Sequence, residues 1–464
     1  MRRILCVSLF VFLSVLRLSA EDSIPAAMKG EIDKAVRDLL AKTGAPSASI
    51  AVVMDGKLLY AQAYGIARVA EKLKATPDMP YSIGSISKQF TAAAILLLAQ
   101  EGKLSLDDKL ERWLPELTRA KDVSIRELLA MTSGYQDFWP QDYVMPMMLK
   151  PITPEEIVKR WGTIPLDFEP GTKWQYSNTN YVIAGAIVEK VAGDPVFSFV
   201  QKRILEPLQM KSAINSDTGP LGPDGPQRYL RYAGGPLRIA PKEGAGWMFA
   251  AGELAMTPSD LAKWDISLIE QSLLQPESYR EMETEVRLAS GVGSSYGLGV
   301  HLSLTNARRQ VSHGGEVSGF TATNDVYPDE RVAVAVFTNM DATGASSEIA
   351  SRVEDIVFAQ NEPGRTAALA QMKSIFSSLQ RGKLDRALFT DNANAYFTRE
   401  AIADFAAALR PLGAPKAFAQ TAQGLRGGMT MRRYDIKFAR KTLRLTTFIL
   451  PDGKIEQYQI ATTD

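Results

Sequence analysis

The chain has 464 residues, 45% of them hydrophobic and 23% charged, which suits one large domain plus a small one and excludes a disordered chain. Its 53 Lys and Arg nearly balance 52 Asp and Glu, unlike a nucleic-acid binder, which usually carries a basic excess or stripe. One cysteine, Cys6, and two histidines, His301 and His313, leave no disulfide and nearly exclude a His-rich zinc centre, so neither metal nor other cofactor is expected.

Residues 1–20, "MRRILCVSLFVFLSVLRLSA", have the plan of a secretory signal peptide: Arg2 and Arg3, an apolar run from Ile4 to Leu16, and Ser19-Ala20 before Glu21. The apolar run is shorter than the roughly 20 residues of a spanning helix. A periplasmic or secreted protein with no stable membrane span after cleavage is therefore expected. Loss of this segment removes Cys6, and with it any thiol nucleophile.

Residues 21–360 read as one domain. A helical pattern from Met28 to Leu40 precedes "SASIAVVMDGKLLYAQAYGIARV", whose alternation around Asp55-Gly56 predicts a β-hairpin. A long apolar helix, Ile86 to Glu101, comes next, and then a middle of loops and short helices. Strands return late, in "SSYGLGVHLSL", "RQVSHGG", "FTATNDVYP" and "RVAVAVFTNMD", before a closing helix in "SSEIASRVEDIVFAQ". An antiparallel sheet built from both chain ends, flanked by helices and carrying a helical subdomain, is an α+β arrangement.

The Pro363-Gly364 pair marks a linker over 361–371. Residues 372–464 then read as a small α+β accessory domain. Two helical patterns, Ala368–Gln380 and Arg399–Leu409, precede strands in "MTMRRYDIKFA", "KTLRLTTFIL" and "KIEQYQI". This order loosely resembles a nuclear-transport-factor-like cone.

The chemistry is concentrated at "SISK". On a helix, Ser85, Lys88, Ala92, Ile95 and Ala99 share one stripe, apolar after Lys88. Three-residue spacing brings the Lys88 amine within reach of the Ser85 hydroxyl. Burial favours a neutral amine and so makes a base, while free N–H groups at the helix start suit an oxyanion. Ser-x-x-Lys alone is weak, since about one or two matches arise by chance in a chain this long. Two later motifs strengthen it, Tyr176-Ser177-Asn178 and His313-Gly314-Gly315.

In that order and with that context ("LLAMTSG", "FEPGTKWQYSN", "EPLQM", "YGLGV", "VFTNMD"), residues 30–360 resemble the serine β-lactamase and penicillin-binding-protein superfamily. The nearest branch is the class C-like one, with its D-Ala-D-Ala carboxypeptidases, D-aminopeptidases and esterases. The resemblance implies an acyl-enzyme serine hydrolase acting on a small-molecule or peptide amide or ester. Ser85 would be the nucleophile, with Lys88 and Tyr176 sharing general-base and general-acid duty; which of the two is deprotonated at rest stays open. Asn178 would hydrogen-bond Lys88 and the substrate amide. His313 would face the site, Gly314 and Gly315 would let substrate backbone approach, and the N–H groups of Ser85 and Glu316 would form the oxyanion hole.

Three departures stand out: His313 replaces the usual lysine, Met131 the frequent histidine of "LLAMTSG", and Gln209 the usual glycine of "EPLQM". A histidine that is neutral near pH 7 tilts the reading from a dedicated lactamase toward a peptidase, amidase or esterase. Two alternatives compete. One is a non-catalytic sensor that binds penicillin or muropeptides; the other is an α/β-hydrolase-type esterase using Ser295 in Gly293-Ser294-Ser295-Tyr296-Gly297. The latter needs a strand, a sharp turn and a helix around Ser295. His301 reads as a sheet-face residue, and Phe138, Trp139 and Tyr143 as aromatic walls of a pocket.

Overall fold

In the computed structural model, which describes residues 23–306, 308–361 and 365–463, Asp55 and Gly56 both take positive φ, 53° and 73°. This is the two-residue turn whose twist matches a hairpin. It joins β1 (Ser47–Met54) to β2 (Lys57–Arg68), and a short β3 (Leu73–Lys74) lies beyond β2. The late strands are β4 (His301–Thr305), β5 (Arg308–Val317), β6 (Phe320–Tyr327) and β7 (Val332–Thr338). Together they form one seven-stranded sheet in the order β3-β2-β1-β7-β6-β5-β4. The early and late strands meet at its centre, where Ile50 pairs with Val336 and Val52 with Val334. The signal-like segment 1–20 lies outside the described residues. No helix among those described is long and apolar enough to cross a membrane.

Every residue of β1 and β7 is buried, so both faces of the sheet are covered. The two-residue period divides their side chains. Ile50, Val52, Val334 and Val336 pack with Ile32 and Val36 of α1 (Ala26–Thr43) and with Ile349 and Val353 of the closing helix, Ala345–Asn361. Ala51, Val53, Ala335 and Phe337 face the larger core on the other side. The helix at the centre of that core, α2 (Ser87–Gln100), has every side chain from Ser87 to Leu98 buried. Its run of Ala and Leu favours helix, and at its end Gly102 takes φ 68° and donates to the Ala99 carbonyl.

Three expectations change. The strand anticipated in "SSYGLGVHLSL" begins only at His301, because 294–300 run through turns that take Ser295 to φ 55° and Gly299 to 78°. The helix anticipated over Ala368–Gln380 begins earlier, at Arg365, and so takes in residues 365–371 of the expected linker. The C-terminal domain has four antiparallel strands rather than three, the extra one being Ala417–Arg426. That strand is an edge with few buried side chains, so its sequence lacks a clear apolar alternation.

The C-terminal sheet has its own core, in which Met372, Phe376, Leu379, Tyr434, Leu445 and Tyr458 meet. Removing a fully buried leucine there costs about 2–5 kcal/mol. In calorimetry, Leu445→Ala should lower one unfolding transition and leave that of the large domain in place; a single transition moving as a whole would show that the two cores unfold together.

Candidate active site

The turn that carries the nucleophile is held by close backbone approach. Gly84 has φ 50°, and a Cβ built on it would lie 2.8 Å from the Glu316 nitrogen. A Cβ on Gly315 would collide with the Ile83 carbonyl oxygen. Glycine at both positions lets β5 press directly on the short 3₁₀ turn Gly84–Ile86. This brings the backbone of Ser85 beside that of Glu316, the pair expected to form the oxyanion hole. The crowding at Gly315 thus comes from the chain itself, whereas Gly314 is exposed along the cleft. Pairing with β4 stops at His301↔Ser312, so residues 313–317 present a locally open strand edge.

Lys88, one turn into the chain from Ser85, is fully buried. Its amine lies 2.9 Å from Ser85 Oγ, 2.8 Å from Asn178 Oδ1 and 2.8 Å from the Ala251 carbonyl oxygen. It sits over the rings of Tyr176 and Tyr181, 5.0 and 5.6 Å from their centres. Burial pulls the ammonium down to about 7, with the charge of Asp137 opposing. Tyr176 lies beside Ser85, and its hydroxyl is shielded from solvent without a well-aligned hydrogen bond. Burial raises the phenol well above its usual range, and Ser85 opposes the rise. The structure therefore assembles Ser85, Lys88, Tyr176 and Asn178 in one place.

His313 is also there, but in a different condition from a substrate-facing cation. Its Nδ1 is bonded to the Gly314 carbonyl, which can only accept, so Nδ1 carries the proton and Nε2 accepts from the Tyr296 hydroxyl at 3.0 Å. Burial first, then repulsion from Lys88 and His301, holds the imidazolium down at about 3. His301 is more than a sheet-face residue: its ring stands edge-on to Tyr296 and 5.3 Å from that of His313, and it lines the cleft. Ser295 does not line it. Beyond Ser295 the chain enters strand β4 rather than a helix, which removes the nucleophile-elbow reading.

The cleft above Ser85 has a volume of about 730 Å³. Trp139 and Tyr143 form part of its wall, whereas Phe138, though at its margin, is buried against Trp161 and Trp247. Its charged lining side chains among the described residues are Asp137, Asp142, Glu316 and Asp341, with neither lysine nor arginine.

Several contributors carry no signal in the sequence. Asp137 accepts from the Asn178 backbone N–H at 3.0 Å, from the Asn178 side-chain NH₂ at 3.2 and 3.3 Å, and from the Trp139 N–H at 3.1 Å. It takes the place of a local cap, because Ser177 offers none to the helix Asn178–Ala192. Ala251 contributes only a carbonyl. Two of the departures from the family pattern sit in distinctive local geometry. Met131 has φ 62° and its buried sulfur accepts from the Ser177 N–H at 3.4 Å, while Gln209 has φ 56°, a conformation that glycine adopts without cost.

The comparisons with known proteins agree with this architecture. A family model described as Beta-lactamase matches residues 32–357, and the chain belongs to that family. It is 28% identical to protein flp of Staphylococcus aureus (strain MW2) over 324 residues, 67% of this chain and 63% of that protein. It is 28% identical to a D-aminopeptidase of Brucella anthropi over 67% of this chain and 59% of that protein. The chain thus spans about three fifths of the length of these two relatives. Among solved structures, a D-amino acid amidase from Ochrobactrum anthropi SV3 superposes with a TM-score of 0.64 at 25% identity, covering 73% of this chain and all of that one. An octameric penicillin-binding protein homologue from Pyrococcus abyssi, 21% identical, shares the fold over 93% of this chain and 99% of its own with a TM-score of 0.60.

The buried amine has a consequence for stability. Its folded pKa lies below the unfolded value of 10.5, so the unfolded chain binds the extra proton between about 7 and 10.5. Stability contributed by this site therefore rises with pH across that window. The stability difference between wild type and Lys88→Met should shift in favour of wild type by about 1.4 kcal/mol per pH unit there. Denaturant unfolding at pH 6 to 10 measures it, and a difference constant with pH would contradict a depressed Lys88.

Proposed function

We propose that the protein is a serine hydrolase that forms an acyl-enzyme at Ser85 on an amide or ester whose acyl part carries a free amine, with D-aminoacyl amides as the leading class. One observation carries the reaction type. A neutral lysine amine has two hydrogens and one lone pair; Asn178 Oδ1 and the Ala251 carbonyl take both hydrogens. The lone pair is left for the Ser85 hydroxyl at 2.9 Å.

In this reading, Ser85 Oγ attacks the carbonyl carbon as Lys88 takes its proton. The developing oxyanion lies between the N–H groups of Ser85 and Glu316. Tyr176, whose raised pKa keeps it a neutral phenol, gives its proton to the leaving nitrogen or oxygen and takes up the one held by Lys88; water, giving its proton to the same pair, then cleaves the acyl ester, and a proton returns to Ser85 Oγ. The high phenol pKa supports Lys88 as the resting base.

The substrate class rests on charge. A carboxylate-bearing substrate would meet Asp142, Glu316 and Asp341 in the cleft and no opposing lysine or arginine, and His313 is neutral. An ammonium on the substrate would meet opposite charge. The names of the relatives, a D-aminopeptidase and a D-amino acid amidase, support a D-configured acyl group. The signal-like residues 1–20 support an exported protein.

Mass spectrometry after treatment with a fluorophosphonate should find one adduct, on Ser85, and none in Ser85→Ala. Lys88→Ala should lower kcat by about 10²- to 10⁴-fold. Because Lys88 must be neutral to act, kcat/KM should rise with pH through about 7. N-acetylation of a D-aminoacyl p-nitroanilide should depress kcat/KM; a preference for the acetylated or carboxylated substrate would refute the substrate assignment. A persistent penicillin adduct with no turnover of any ester or amide would favour a sensor instead.

A further inference from the structure

We propose that Asp137 is the positioning residue that orients the Asn178 amide and thereby points the Lys88 lone pair at Ser85. The inference rests on the acyl-enzyme reading and concerns what makes Lys88 a base toward Ser85 rather than toward a neighbour.

The geometry is restrictive. A carboxylate only accepts, and Asp137 is engaged by three donors on two segments: the Trp139 N–H, the Asn178 N–H and the Asn178 NH₂. Asn178 can satisfy it only with its NH₂ turned toward Asp137. Its Oδ1 must then face Lys88, at 2.8 Å. With the amide reversed, the NH₂ would donate to the amine and occupy its lone pair, while Oδ1 would face the Asp137 carboxylate, two acceptors with no hydrogen between them. The other fixed neighbour of the amine, the Ala251 carbonyl, is an acceptor in any case. The polarity of Asn178 is therefore the variable that decides where the lone pair points, and Asp137 sets it.

Asp137 has a second effect through charge. The titratable groups that face Lys88 are Tyr176 and Tyr181 through their rings, His313, and Asp137. Both tyrosines are held neutral by burial and His313 is neutral. Asp137 is thus the acid that opposes desolvation of the ammonium, keeping its titration near neutral pH rather than lower.

Asp137→Asn tests the proposal, because the amide oxygen can still accept from the two backbone N–H groups while its NH₂ favours a reversed Asn178. We expect kcat to fall about 10- to 100-fold, less than the roughly 10²- to 10⁴-fold of a whole general-base contribution, with KM little changed and the melting temperature retained. The acid limb of kcat/KM should move to lower pH by about one unit, as when an opposite charge is removed. Asp137→Glu, which restores charge and acceptors, should recover the wild-type limb. Asp137→Ser keeps an acceptor without the charge and, should Asp137→Asn fail to fold, still reads the move of the acid limb to lower pH. A wild type labelled on Ser85, with neutral variants that keep both its kcat and its acid limb, would overturn this inference alone. A wild type that takes no label on Ser85 would overturn the acyl-enzyme reading and this inference with it.

Discussion

The architecture turns on one costly group, the amine of Lys88, fully buried beneath the cleft. An ammonium without partners in such a place is strongly unfavourable. Its neighbours resolve this by burial of the neutral form, two acceptors for its hydrogens and one acid near enough to oppose desolvation. Those neighbours come from four stretches of chain: the Ser85 turn, the Asp137 loop, the start of the helix at Asn178 and the Ala250–Glu253 segment. Each must be held to within a fraction of an ångström for the arrangement to exist. Much of the surrounding structure can be understood as the scaffold that holds them.

The sheet supplies that scaffold. Pairing β1 with β7 joins the early strands to the late ones and leaves β5 to run past the nucleophile turn. Contact is made through glycine rather than side chains, Gly84 against Glu316 and Gly315 against Ile83. Backbone meets backbone here, so the contact does not depend on a side-chain rotamer. It also frees the strand edge from residue 313 onward, where β4 no longer pairs.

Replacing a lysine by His313 changes the field of the cleft as well as one side chain. Both nitrogens of His313 are engaged, one with its own strand and one with Tyr296. The imidazole therefore acts as a packed, neutral member of an aromatic group with His301, Tyr296 and Trp174. The charged side chains that line the cleft among the described residues are then all acids.

The hairpin, the buried α2 helix, the late strands and the Ser85–Lys88 spacing were legible in sequence because they rest on local rules: turn chemistry, two-residue alternation and helical periodicity. The order of the three motifs indicated the company of Ser85. Edge strand Ala417–Arg426 and the turns of 294–300 were not legible, since half-exposed residues and positive φ leave weak patterns. Nor was Asp137, an acid in a loop whose partner Asn178 lies 41 positions away. The sequence by itself determined which chemical groups are present and which are one helical turn apart. Only the tertiary structure decided which way Asn178 faces, that His313 is neutral, and that the cleft is acidic. Those properties depend on contacts between distant segments and on exclusion of water, which no local pattern encodes.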